Sequence, residues 1–339
     1  MNNYERRSVG IVGFRGYSGA ELVRILSRHP GVELILLEHR TDSEERVRPL
    51  GSEIPKTLPA TAEAIGAEGV DLVFLATPPQ VSIDLTPGIL AAGAKVVDLS
   101  GAFRLGSAEE YSKWYGERHG APELFGEAVY GLPEFYRDRI PGARLCSNPG
   151  CYPTAANLAI RPLVQAQVAD RSRGIICDAK SGVSGAGRKA SLKTSFCEIA
   201  ENFSAYGFHD HRHVPEVLQN SGVGEREFTF TAHLLPIERG ILETIYVRTE
   251  RISKPVDLLS LYEEQYADEP FVRLYPPGKV PDLAAVQRTN FCDIGFRFDP
   301  DSQRVTVVVA IDNLVKGAAG QAVQNMNLML GFEEAEALL

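Results

Sequence analysis

The residue of this chain best suited to covalent chemistry is Cys151, in the run Ser147-Asn148-Pro149-Gly150-Cys151-Tyr152-Pro153-Thr154. A Pro-Gly turn precedes it, and the following Ala155-Ala156-Asn157-Leu158-Ala159-Ile160 favours helix. Proline is tolerated in a first helical turn, where its missing N–H would be unpaired anyway. The pattern therefore predicts that Cys151 lies at or just before a helix N-terminus. N–H groups and the positive end of the helix dipole there favour thiolate over thiol. A thiolate is the nucleophile that attack on an activated acyl carbon requires. The ordinary alternative is a small buried hydrophobe, the common state of an unpaired cysteine.

A second dense stretch is His209-Asp210-His211-Arg212-His213-Val214-Pro215-Glu216. Histidines at alternate positions would share one face of an extended segment. An imidazole there could take a thiol proton and return it to a developing alkoxide. Arg212 could clamp an anionic group bidentately. Only Asp210 and Glu216 would support a metal, so none is expected. The ordinary alternative is a polar surface loop.

Gly13-Phe14-Arg15-Gly16-Tyr17-Ser18-Gly19 suits dinucleotide phosphates, because its glycines let backbone N–H groups approach a pyrophosphate at a helix start. The spacing is not G-x-G-x-x-G, and a tight structural turn is the alternative. At the end of the next strand Glu38 would hold a ribose 2′-OH, whereas Arg40 would accept a 2′-phosphate, so NAD and NADP are both open. Two further stretches stand out. Ser181-Gly182-Val183-Ser184-Gly185-Ala186-Gly187-Arg188 is a glycine/serine loop suited to oxyanion binding. Asp312-Asn313-Leu314-Val315-Lys316-Gly317 places Asn and Lys just before a small-residue helix.

These residues need positioning elements. Ser8 to Gly13 reads as a buried strand, Ala20 to His29 as a helix with Leu22, Val23, Ile25 and Leu26 on its apolar face, and Val32 to Leu37 as a second strand. Asp71 to Thr77 and Ala94 to Ser100 add apolar strands around a helix from Ser82 to Ala92. Apolar strands alternating with helices predict a doubly wound, Rossmann-type α/β parallel sheet. Past Cys151 the pattern changes: Arg226 to His233, Thr244 to Thr249 and Arg304 to Ile311 are β-branched strands of a mixed or antiparallel sheet in an α+β domain. Gly317 to Leu330 reads as a last helix. The expected domains are 1–148, with 313–339 packing back on it, and 149–312, which would carry catalysis and oligomerisation.

Length and composition agree with two domains, since the chain has 339 residues and is 44% hydrophobic. Net charge is −9 and no Lys/Arg-rich block occurs, which argues against nucleic acid. The five cysteines are scattered and odd in number, against both a disulfide framework and a cysteine zinc site. No membrane span or signal peptide is expected, and a cytoplasmic location fits best.

Several of these motifs occur together and in order in one family. They are Gly13 to Leu22, Val97-Asp98-Leu99-Ser100, Tyr130-Gly131-Leu132-Pro133-Glu134, Ser147 to Thr154, His211 to Glu216 and Asp312 to Asn327. On them the chain resembles the N-acetyl-gamma-glutamyl-phosphate reductases, relatives of aspartate-semialdehyde dehydrogenase. The resemblance implies reduction of N-acetyl-glutamyl 5-phosphate by NADPH to the 5-semialdehyde, with release of phosphate, in arginine biosynthesis. It implies Cys151 as nucleophile, through a thioester, and His213 as general acid/base. His211, Arg212, Glu216 and Asn148 would serve the substrate. Gly13, Arg15, Gly16, Tyr17, Ser18, Gly19, Arg40, Ser184, Gly185, Asn313 and Lys316 would serve the cofactor. A homodimer or homotetramer is implied as well. The alternatives are a related acyl phosphate, aspartyl or carrier-bound aminoadipyl, or a non-catalytic dinucleotide sensor. Two departures matter. Glu38-His39 stand where the family has a small hydroxyl residue before its arginine, leaving NAD open. Gly101-Ala102 replace the family's Ala-Asp before Phe103-Arg104.

Overall fold

A computed structural model describes residues 6–39, 55–250, 252 and 254–339. The chain divides into two compact units. The first runs through Gly106 and adds His119–Asn148 and Ala322–Leu338; the second holds Ser107–Arg118 and Pro149–Gln321.

The first unit is built on seven parallel strands: β1 (Arg7–Val12), β2 (Val32–Glu38), β3 (Lys56–Pro59), β4 (Leu72–Leu75), β5 (Lys95–Asp98), β6 (Val129–Tyr130) and β7 (Leu145–Ser147). Their order is β3-β2-β1-β4-β5-β7-β6, with every described pairing parallel. All four residues of β4 are fully buried, as a strand covered on both faces must be apolar throughout. The order reverses at β1, so the carboxyl ends of β1 and β4 form the switch point where doubly wound sheets take their ligands. The helix Tyr17–Leu26 starts directly after this point and buries Leu22, Ile25 and Leu26. It begins three residues before the apolar periodicity, because Gly16 serves as its N-cap. The helix Pro79–Ala91 likewise starts early, with Pro79 in the first-turn position that proline fits.

The last segment of the chain completes this unit. His29 Nε2 meets Asn327 Oδ1 at 3.1 Å, and its ring packs edge-on against Phe332. Arg137 pairs with Glu334 through two bonds of 2.9 and 3.0 Å.

The second unit holds a mixed sheet of β8 (Ile175–Ser181), β9 (Ser204–Tyr206), β10 (Phe228–Leu234), β11 (Ile241–Arg248), β12 (Val272–Leu274), β13 (Cys292–Asp299) and β14 (Arg304–Ile311). Their order is β12-β13-β14-β11-β8-β10-β9. One face is buried: Ile175, Cys177 and Ala179 of β8, Phe230 and Ala232 of β10, and Val305, Val307 and Val309 of β14. The other face carries Ile176 and Tyr246, 47% and 45% exposed.

One residue breaks this alternation. Glu243 lies on the buried face of β11 beside Ile241 and Ile245, and it is fully buried. Cys177 Sγ donates to its Oε2 at 3.5 Å. Burial pushes the Glu243 carboxyl well above its ordinary value near 4.5, so the folded chain keeps it protonated. The unfolded chain ionises it above that value. Stability from this group is therefore complete below pH 4.5 and is lost as pH rises, at about 1.4 kcal/mol per pH unit across the window. The expected outcome for Glu243→Gln is a higher melting temperature at pH 8 and a flatter dependence on pH. Thermal scans from pH 4 to 9 check it, and parallel curves for the two proteins would contradict it.

Candidate active site

Cys151 is the first residue of the helix Cys151–Gln165, and Gly150 is its N-cap. Glycine has no side chain with which to satisfy the N–H groups of the opening turn. One of these donors is answered from elsewhere: Gly150 N–H donates to Glu216 Oε2 at 2.9 Å. Glu216 is fully buried in the first turn of the helix Val214–Ser221. The same helix reaches back through its Glu216 carbonyl, which accepts from Asn157 Nδ2 at 3.5 Å. Glu216 therefore braces the turn that presents the cysteine, while Cys151 itself is half-buried.

The histidine stretch meets the cysteine turn at Tyr152. The Tyr152 ring packs edge-on against His211 at 5.5 Å, His213 at 5.9 Å and Phe230 at 5.3 Å. Its hydroxyl lies 3.1 Å from that of Tyr206. Burial pushes the Tyr152 phenol far up, so it stays neutral. His211 and His213 do share a side, with rings 5.0 Å apart, but not along an extended segment. They form a tight turn: His213 N–H donates to His211 Nδ1 at 3.2 Å and Val214 N–H donates to the His211 carbonyl at 2.9 Å. The turn wins because Pro215 stands in the first turn of the helix that follows. Arg212 is exposed, with its guanidinium over the Tyr115 ring at 5.6 Å.

A third element touches the cysteine. Residues Val315–Ala319 form a π-helical turn, a widened turn frequent at functional sites. Asp312 builds its entrance. Its Oδ1 accepts from Leu314 N–H (2.8 Å) and Val315 N–H (3.2 Å), and its Oδ2 from Arg288 N–H (2.6 Å) and Arg239 Nη1 (3.3 Å). The turn brings Gly317 so close that a Cβ there would lie 2.8 Å from Cys151 Cβ. Asn313 Nδ2 donates to Ser184 Oγ (2.9 Å), and its Oδ1 accepts from Gly240 N–H (2.7 Å), which joins this segment to the 183–186 loop. Gly185 is exposed beside them. Lys316 is fully buried, with its ammonium 5.5 Å from the Phe271 ring centre.

In the first unit, the glycine turn is shaped for close approach. Gly13 has φ +81°, and a Cβ on it would meet the Ala76 carbonyl oxygen at 2.2 Å. A Cβ on Gly19 would meet the Gly13 carbonyl at the same distance. Gly16 caps the Tyr17–Leu26 helix with no side-chain bond to its opening N–H groups. An uncapped helix start at a sheet's switch point fits a pyrophosphate. Tyr17 is exposed and Ser18 half-buried beside it. Arg15 Nη2 is 3.0 Å from Glu38 Oε1, so the carboxylate at the end of β2 has a cationic partner. Arg40 lies outside the described residues.

Asn148 is fully buried: its Oδ1 accepts from Asn325 Nδ2 at 3.0 Å and its carbonyl from Arg104 Nε at 2.8 Å. Arg104 also donates to the Leu99 carbonyl at 2.7 Å. Backbone carbonyls thus receive Arg104 where Ala102 offers no carboxylate. Sequence reasoning gave no role to Asp312 and Gly317, although both stand in a stretch it singled out, and it missed Arg239 and the ring cluster of Tyr206 and Phe230.

The chain matches two family models: semialdehyde dehydrogenase, NAD binding domain, over residues 8–143, and semialdehyde dehydrogenase, dimerisation domain, over residues 151–313. It is 47% identical over 346 aligned residues to the N-acetyl-gamma-glutamyl-phosphate reductase of Symbiobacterium thermophilum, covering 98% of this chain and 97% of the relative. It is 48% identical to that of Thiobacillus denitrificans, covering 97% of each. Among solved structures, it shares a fold with aspartate semialdehyde dehydrogenase II complexed with ASA from Vibrio cholerae. There the TM-score is 0.73 and identity 18%, over 96% of this chain and 98% of that one. Aspartate semialdehyde dehydrogenase with NADP from Candida albicans gives a TM-score of 0.70 and 15% identity, over 96% and 98%.

Gly317→Ala should force the cysteine turn or the π turn to shift. The expected outcome is a roughly tenfold slower alkylation of Cys151 by iodoacetamide, read by peptide mass spectrometry, with an unchanged circular dichroism spectrum. Wild-type alkylation in the folded variant would remove Gly317 from the positioning of the thiol.

Proposed function

The chain belongs to the N-acetyl-gamma-glutamyl-phosphate reductase family, and from that premise we propose how its residues carry out the reduction of N-acetyl-glutamyl 5-phosphate to the 5-semialdehyde, a step of arginine biosynthesis. The observation that carries the reading is a cysteine opening a helix without a side-chain cap, with two imidazoles packed on the ring of the next residue. Cys151 gives up its proton and attacks the acyl carbon. The bond from that carbon to the phosphate oxygen breaks, phosphate leaves, and a thioester remains. His213 holds the proton, lends it to the substrate oxygen as the acyl carbon is reduced, and takes it back as the carbonyl re-forms and the carbon–sulfur bond breaks, which restores the thiolate. N–H groups at the helix start stabilise the oxyanion of the tetrahedral states. Glu216 keeps that turn in place through Gly150.

The cofactor is a nicotinamide dinucleotide, and when bound it supplies the hydride that takes the acyl carbon to the aldehyde level. The glycine turn from Gly13 to Gly19, with Arg15, Tyr17 and Ser18, would hold its pyrophosphate; for Asn313, Lys316, Ser184 and Gly185 a cofactor role rests on the family resemblance alone. NADP is the proposed form, because Arg15 offsets the charge of Glu38 where a 2′-phosphate would sit.

The purified protein should reduce NADP in the presence of phosphate and N-acetyl-glutamate 5-semialdehyde, and prefer it to NAD. Cys151→Ser should lose the reaction while keeping dinucleotide fluorescence quenching. Arg15→Ala should lower the NADP to NAD ratio by roughly tenfold, the scale of one lost charge-assisted bond. Turnover in Cys151→Ser would end the thioester scheme; a preference for NAD would reverse the role of Arg15.

A homodimer belongs to the same proposal. The open face of the second sheet, with Ile176 and Tyr246 exposed, is the surface a second copy would cover. Sedimentation as a monomer at micromolar concentration would remove it.

A further inference from the structure

We infer that His211 works as a permanently neutral imidazole whose Nε2–H donates a hydrogen bond to a substrate oxygen, and that the proton traffic of the reaction belongs to His213. The inference rests on the reductase reading above and assigns the two imidazoles different tasks.

The tautomer follows from the geometry. A backbone N–H can only donate, and that of His213 points at His211 Nδ1 from 3.2 Å. Nδ1 must therefore carry the lone pair, and the ring proton must sit on Nε2. Protonating both nitrogens would oppose two N–H groups and break one of the two bonds that form the turn ahead of the Val214–Ser221 helix. That helix carries Glu216, which holds Gly150 beside the cysteine. A charged His211 would thus loosen the turn that presents the nucleophile.

The surroundings act in the same direction. The ring is enclosed by Tyr152 at 5.5 Å, Tyr206 at 5.8 Å, His213 at 5.0 Å and Phe230 at 5.2 Å. Gly207 closes a further side: it has φ +65°, and a Cβ there would lie 2.8 Å from His211 Cδ2. Both phenols are neutral, with Tyr206, like Tyr152, pushed up by burial. Of the two charges nearby, Arg212 opposes a positive imidazole and Asp210 favours it. Burial outweighs both and lowers the His211 pKa to about 4. Nε2 makes no hydrogen bond to the described residues, so it remains as the one polar atom the ring can offer a ligand. A neutral imidazole that donates to a carbonyl oxygen polarises it without taking up a proton, an arrangement known from other enzymes.

The test uses the whole enzyme labelled with 15N at histidine. The expected spectrum keeps His211 Nδ1 unprotonated and Nε2 protonated from pH 5.5 to 8.5. A His211 titration between pH 6 and 7, or a proton on Nδ1, would overturn the inference whatever the activity. Two variants separate the roles. His211→Asn keeps an acceptor for the His213 N–H but removes the donor at the Nε2 position. It should lower kcat by roughly 10²-fold, the scale of one removed oxyanion donor, and leave the acidic limb of the pH–rate profile in place. His211→Gln, which returns a donor near that position, should recover part of the loss. Full activity in His211→Asn, or loss of the acidic limb, would contradict the assignment. A wild-type enzyme that reduces no N-acetyl-glutamyl substrate would fail the reductase reading instead, and leave the tautomer result standing.

Discussion

Everything in the second unit that bears on chemistry depends on how one helix begins. The Cys151–Gln165 helix opens on a glycine cap, so the donors of its first turn look outside the helix for partners. A buried carboxylate from a helix some sixty residues later supplies one, through the 2.9 Å bond from Gly150 to Glu216. That bond, with the one from Asn157 to the Glu216 carbonyl, ties the cysteine helix to the helix that follows the histidine turn. The π turn then meets the cysteine from another direction, at a distance only glycine permits. The thiol is placed by three segments distant in sequence, each held by hydrogen bonds of its own.

Buried polar groups in this unit are used in two opposite ways. Asp312 is fully buried and surrounded by donors, with three backbone N–H groups and the Arg239 guanidinium around one carboxylate. That density of donors on one side chain fixes the backbone around it. Glu243 is equally buried but faces a thiol and aliphatic neighbours, and it avoids its desolvation cost by keeping its proton. The first organises a functional turn. The second fits the core as a neutral acid.

The parallel sheet was legible in the sequence, because strands buried on both faces are apolar throughout and Val9 to Val12 and Leu72 to Leu75 could hardly read otherwise. The cysteine helix was legible for a local reason as well, the Pro-Gly turn ahead of an alanine-rich run. Strands β8 and β13 were not. Asp178, Lys180, Asp293 and Arg297 interrupt their apolar pattern, and their pairings depend on β11 and β14 rather than on their own propensity. The turn of His211 and His213 was hidden too, since alternate spacing suits a strand as well as a turn whose hydrogen bond runs from backbone to imidazole. Asp312 and Gly317 stood in a conspicuous stretch, but what each touches is set by the fold.

The first unit is interrupted by the second in the order of the chain. Its strand β7 ends at Ser147, and the segment that packs His29 and Arg137 follows only from Ala322 onward. A ribosome making this protein emits the whole parallel sheet, then the entire mixed sheet, before the partners Asn327, Phe332 and Glu334 appear. The earliest part of the chain to be synthesised is therefore the last to be sealed. Until then His29 and Arg137 stand without the partners that cover them, and the chaperones that screen nascent chains would see the sheet that was finished first as the one still incomplete.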